Sequence, residues 1–364
     1  MEDPSEYCLQ AVNCHERNPE RAVALFTRAG ELGSPEGWFG LAEMKMEGRG
    51  TPKDVEGAVG LYRRSAEAGN SPAMFRLGSI FTGAYGYPED REQCRYWFER
   101  AAENGVELAY PEIAAIYLYG YGTGTDAEKA YHYYRLSAES GNAQSMFMLG
   151  CLASEGIGTA KDEKSAAEWI GKAADAGVPE AQFRMARMAE TGEIAGGDGA
   201  AVRWYERAAD QGFVPAVFNL GTMYYEGRGV EQDFSKAFGL YDKASETEDG
   251  DALFMTARMM YEGLGTARDI EGAMRRFGRS AEAGNQLARQ FLDDLRRRQN
   301  TQFIKIDGLR SIIHRDELRL GLSAYRALPI VRKILELHAF FLFVIYVSAH
   351  GASVLHNRTY ISKI

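Results

Sequence analysis

The chain has 364 residues, of which 45% are hydrophobic, with 40 glycines, four cysteines and a net charge of −9. Four cysteines are too few for a disulfide scaffold. The charge is uneven: residues 296–333 carry +7 and residues 1–295 carry −17, which argues against nucleic acid on the larger part.

The first ten residues, MEDPSEYCLQ, are acidic and have no apolar core, so they do not read as a signal peptide. Residues 1–19 form an N-terminal segment ahead of a repeat. From about residue 20 a glycine recurs: Gly33, Gly69, Gly105, Gly141 and Gly177 are 36 residues apart, and Gly212 follows at 35. Glu248 then stands where the next glycine belongs, and Gly284 restores it. A period this regular marks a repeat protein.

Each glycine closes one phrase, as in AVGLYRRSAEAG (58–69) and AVRWYERAADQG (201–212). An alanine opens it (Cys94 in one copy) and an aromatic follows four residues later: Phe26, Tyr62, Phe98, Tyr134, Tyr205, Tyr241 or Phe277, with Ile170 as the exception. That spacing puts both on one helical face, and the glycine is the expected left-handed stop. We name this helix B. A second phrase begins eight residues on, as in LAEMKMEGRG (41–50) and LGTMYYEGRG (220–229). After its leucine slot stand only Ala42, Gly78, Ala114, Gly150, Ala186, Gly221 and Ala257, as a close helix crossing requires. We name this helix A. Its G-x-G ends it, and a short polar loop leads to the next helix B.

Each unit is therefore two antiparallel helices whose apolar stripes need neighbours. The spacing predicts a half unit at about 20–33, seven further units to Gly284, and a polar capping helix at about 286–299. Ile194 replaces another glycine and the unit near 192–200 is one residue short, so looser packing is expected around Gly192–Gly199. Residues 300–336 read as a basic linker. Residues 337–355, with Leu337, Phe340, Phe341, Phe343, Val344 and Tyr346, are just long enough to cross a bilayer. The competing reading is a hydrophobic helix docked on protein. The basic stretch 296–333 would then face the cytosol against anionic lipid. Asn357 opens a glycosylation sequon in the tail, 356–364.

The phrases A-x-x-x-Y-x-x-A-A-E-x-G and A-x-x-x-L-G-x-x-Y-x-x-G-x-G resemble the Sel-1-like repeat family, a relative of the tetratricopeptide repeats. The resemblance spans residues 20–295. It implies an all-α fold, a right-handed α/α superhelix, serving as a non-catalytic adaptor or scaffold for other proteins. Some bacterial members lace each unit with paired cysteines. Cys8, Cys14, Cys94 and Cys151 form no such pairs, so the thiols read as reduced and the repeats as cytosolic. One branch of the family, an adaptor of endoplasmic-reticulum-associated degradation, joins lumenal repeats to a C-terminal span. A soluble cytosolic scaffold is a further alternative.

No enzyme motif stands out, and no cofactor or small-molecule substrate is expected. The six histidines lack metal-ligand spacing. The Gly48–Lys53 stretch lacks the element that would complete a phosphate loop, and its counterparts recur as helix linkers. Binding is expected on helix A, which commonly lines the concave face of such repeats. The slots equivalent to residues 40 and 43 should be exposed. They hold Arg76, Glu112, Met148, Arg184, Asn219 and Met255, then Ser79, Cys151, Arg187, Thr222 and Arg258. Arg184, Arg187 and Arg258 on an acidic solenoid could hold an acidic peptide. The competing reading is ordinary solvated charge. A third slot, with Trp38, Met74, Tyr110, Met146, Val217 and Leu253, is expected in the core.

Overall fold

The computed structural model of the chain describes residues 2–297, and every regular element among them is a helix. In chain order these are α1 (Pro4–Cys14), α2 (Pro19–Glu31), α3 (Pro35–Glu47), α4 (Val55–Glu67), α5 (Ser71–Ile80) and, after a 3-10 turn, α6 (Arg91–Glu103). Then come α7 (Ala109–Tyr119), α8 (Ala127–Glu139), α9 (Ala143–Glu155), α10 (Glu163–Asp175), α11 (Pro179–Thr191) and α12 (Gly197–Asp210). The series ends with α13 (Val214–Glu226), α14 (Phe234–Ser245), α15 (Gly250–Glu262) and α16 (Ile270–Glu282). Odd-numbered helices are of type A and even-numbered ones of type B. From α1 to α15 each packs on its neighbours in sequence, as a solenoid requires. The chain divides into two compact units, Met1–Arg276 and Phe277–Ile364. In the second, Asn285 caps a helical run at 286–297, and the Phe277 and Phe291 rings lie 4.3 Å apart.

Helix B mostly starts on a side-chain cap, with α12, which starts on Gly196, as an exception. Asp54, Asp90, Asp126, Asp162, Asp233 and Asp269 each accept a backbone N–H of the first turn, satisfying a donor that helix geometry leaves orphaned. Helix B ends on the expected glycine. At Gly69 (φ 96°) the chain turns left-handed and the Asn70 N–H reaches back to the Ser65 carbonyl at 3.0 Å. Asn70 then caps α5 through the Ala73 N–H at 2.9 Å. Stop and start are thus one short motif, which keeps paired helices antiparallel.

The two glycines of G-x-G have different jobs. The first, such as Gly156 (φ 71°), is the left-handed cap of helix A. The second, such as Gly158 (φ 70°), lies against the preceding helix B. A Cβ there would sit 1.9 Å from the Ala127 carbonyl oxygen at the start of α8. Gly50, Gly122, Gly229 and Gly265 meet the starts of α2, α6, α12 and α14 in the same way. This glycine sets the spacing between consecutive units.

The core follows the phrases. Tyr62, Phe98, Tyr205, Tyr241 and Phe277 are buried, and Ile170 fills the same slot in α10. The small residue of helix A faces this side chain: a Cβ on Gly78 would come within 2.7 Å of the Phe98 ring. Met74, Val217 and Leu253 are buried as expected, with Tyr110 and Met146 packed on the core edge.

The structure adds detail at three places where the repeat pattern is irregular. Part of the segment 1–19 is helical: α1 starts on an Asp3 cap and buries Ala11 against α2 and α3, completing the first pair. Around Gly192–Gly199, Ile194 lies against two core clusters and its N–H reaches the Met188 carbonyl at 3.2 Å, while Gly192, Glu193, Ala195, Gly196 and Gly197 are exposed. Glu248 does not remove the left-handed turn; it adopts φ 60° itself. The rest of the capping helix, the linker 300–336, the hydrophobic stretch 337–355 and Asn357 lie outside the described residues. Among the described residues, no helix is long and apolar enough to cross a membrane.

Candidate interaction surface

The helix A slots expected to be exposed fall into two groups. Some hold the units together. Arg76 on α5 donates to both carboxylate oxygens of Glu43 on α3, at 2.8 and 2.9 Å. Glu43 also accepts the Tyr62 hydroxyl of α4 at 2.6 Å. Three helices from two units thus meet at one carboxylate, which is why Arg76 is not a free guanidinium. Thr222 on α13 does the same work for Tyr241 on α14, with the two hydroxyls 2.9 Å apart. Burial, before any other cause, pushes the Tyr241 phenol up to about 12.

On α11 the slot holds Arg187, which cannot accept a hydroxyl. The Tyr205 hydroxyl of α12 donates instead to Glu190, at 2.5 Å, and accepts from Asn219 of α13 at 3.0 Å. The other Glu190 oxygen accepts from Arg228 at 3.0 Å, and Arg228 also reaches Asp198 at 2.9 Å. Asn219 is therefore a structural link between units. Arg258 on α15 is paired within its own helix to Glu262 at 3.1 Å. This Glu190–Arg228–Asp198 network was not anticipated. Its sequence signal was present: the slot that receives a tyrosine hydroxyl carries a cation, so another acceptor had to stand nearby.

The second group is unpaired. Arg184 and Arg187 are exposed, and no carboxylate lies within ion-pair distance of either among the described residues. Glu112 on α7 is likewise without an ion pair. Its surface is exposed, yet enough protein surrounds the carboxyl for desolvation to raise it above the ordinary glutamate range. Met148, Cys151 and Met255 in the same slots are half-buried.

Other features of the described residues offer less chemistry. No group of His, Cys, Asp and Glu is arranged to hold a metal. The four cysteines are free, and burial pushes the Cys94 thiol up to about 12. A cavity of about 430 Å³ opens between α12, α13 and α14, lined by Glu206, Asp210, Leu220, Tyr224, Lys236, Gly239 and Leu240. Its polar groups are partly engaged with one another: Lys236 lies 5.0 Å from the Tyr224 ring, and the Tyr224 hydroxyl donates to Glu206 at 3.4 Å.

This architecture has known relatives. No curated protein matches the chain. Among solved structures it is similar to c5321, a protective antigen present in uropathogenic Escherichia coli strains displaying an SLR fold. The two are 28% identical with a TM-score of 0.70, over 75% of this chain and 59% of that one. The chain thus spans about 59% of that relative's length. It is also similar to a Sel1 repeat protein from Oxalobacter formigenes, 27% identical with a TM-score of 0.65, over 80% of this chain and 87% of that one. The family model for the Sel1 repeat matches residues 11–34, 37–70, 71–106, 108–142, 143–178, 179–213, 214–246 and 250–285. With far more than half of the chain so matched, and its helix pairs stacked as described, the protein belongs to the Sel1 repeat family.

Proposed function

We propose that the chain is a non-catalytic scaffold that holds a partner polypeptide along the row of A helices. The observation that carries this reading is the division within two slots along that row. Arg76, Asn219, Thr222 and Arg258 are committed to internal partners, whereas Glu112, Arg184 and Arg187 are exposed without an ion pair. Protein partners are expected rather than nucleic acid, because residues 1–295 carry −17. A photo-crosslinking residue placed at Met148 or Met255 should yield partner adducts, and one at Gly60 or His132 on helix B should yield none. Equal adducts from both sets would sink the reading.

The same reading includes a membrane tether through residues 337–355, with contact between the basic stretch 296–333 and anionic lipid and with the repeats facing the cytosol. Its support is the uncharged run of sequence and its basic flank. The full chain should resist carbonate extraction from membranes, and a truncation ending at Ala327 should not. Release of both would remove the tether and leave the scaffold.

A further inference from the structure

Arg184 and Arg187 lie about one turn apart on α11, on one face of the helix. Their isolation has a local cause. Glu190, one turn beyond Arg187, has one oxygen on the Tyr205 hydroxyl and the other on Arg228. Glu180, one turn before Arg184, makes no ion pair with it. Most other arginines of the A helices and their linkers are paired, including Arg49 with Glu47, Arg76 with Glu43, Arg228 with Glu190 and Arg258 with Glu262. Two adjacent guanidinium groups without a carboxylate therefore stand on a solenoid that has carboxylates in excess.

Next to them is an apolar shelf. Met148 and Cys151 occupy the same two slots one unit earlier, on α9, and both are half-buried. A guanidinium presents a planar fork of donors that fits a carboxylate bidentately. The surrounding negative charge repels an acidic segment elsewhere on the solenoid, so the arginine pair both attracts such a segment and fixes its place.

We infer that Arg184 and Arg187, with the Met148–Cys151 shelf beside them, form a docking site for an acidic polypeptide segment. Its carboxylates meet the guanidinium groups and an adjacent apolar side chain lies on the sulfur shelf. This rests on the reading of the A helices as the binding face and names the partner chemistry for it. The contact weakens with salt, since both arginines are exposed.

The test uses the full chain and a fluorescein-labelled decamer of alternating Glu and Leu, with binding read by fluorescence anisotropy at low and high salt. Wild-type chain should bind it. The R184Q/R187Q variant, checked for unchanged helicity by circular dichroism, should bind at least tenfold more weakly. A decamer with Gln in place of Glu should lose at least tenfold on the wild-type chain. Failure of the wild-type chain to bind, or equal binding of the Gln decamer, overturns the docking site. Binding that survives R184Q/R187Q but falls in Met148→Ala/Met255→Ala overturns it while leaving the helix A face as the binding surface. Survival in both variants counts against the site and the face together.

Discussion

At the scale of single residues, conformation and burial give two opposite signals. Glu248 holds φ 60° at a position where its counterparts are glycines, such as Gly69 at 96° and Gly141 at 98°. A left-handed side-chain residue costs roughly 1–2 kcal/mol that glycine does not. Glu248→Gly should therefore raise stability by about 1 kcal/mol, read as a higher denaturant midpoint with unchanged slope. Glu112 is destabilising for a different reason. Desolvation raises its carboxyl in the folded chain, so the folded state binds its proton more tightly than the unfolded one. Its cost is absent below the unfolded value and grows as pH rises from there through the folded one. Glu112→Gln should then increase stability at neutral pH and leave it unchanged in acid. A midpoint series across that window checks the sign, and a loss at neutral pH would refute the desolvation argument.

At the scale of helices and their joints, glycine has three roles that its count alone does not distinguish. Gly60 lies in the middle of α4, is exposed, and a Cβ there meets nothing within 4 Å. Gly158 is left-handed and its Cβ would strike the Ala127 carbonyl. The two Ala substitutions should therefore diverge. Gly60→Ala should gain about 0.5–1 kcal/mol from helix propensity. Gly158→Ala should lose about 2–4 kcal/mol, adding left-handed strain to forced separation of α8 from the linker after α9. Similar shifts for both in thermal melts would mean that the second glycine of G-x-G does not set the unit spacing.

For the molecule as a whole, stability is distributed along the stack. Buried rings face the small residues of an adjacent helix, and Glu43 and Glu190 each tie their own unit to the next. A single pair, residues 143–178, should be largely unfolded in far-ultraviolet circular dichroism. Residues 1–178 should remain helical and melt at a lower temperature than the full chain. A helical, cooperatively melting 143–178 would contradict this dependence on neighbours.

The 36-residue glycine period, the ring four residues after alanine and the small slot of helix A were readable in sequence because each obeys a local rule. A helix needs a left-handed stop, one face must be apolar, and a close crossing admits no side chain. These rules determined the helix pairs, the core residues and the stacked architecture. The aspartate caps of helix B were equally local, repeated at Asp54, Asp90 and Asp126, and could have been read in the same way. α1 was not legible because its phrase has degenerated and its loop to α2 is short; packing against α2 and α3 completes it. Only the tertiary structure decided which exposed slots remain available. Arg76 and Arg184 occupy the same slot of helix A and carry the same charge, yet one is held by Glu43 across a unit boundary and the other is not. That difference depends on which carboxylates the tyrosine hydroxyls and Arg228 have already engaged. Such competition takes place between helices more than thirty residues apart, which no local pattern records.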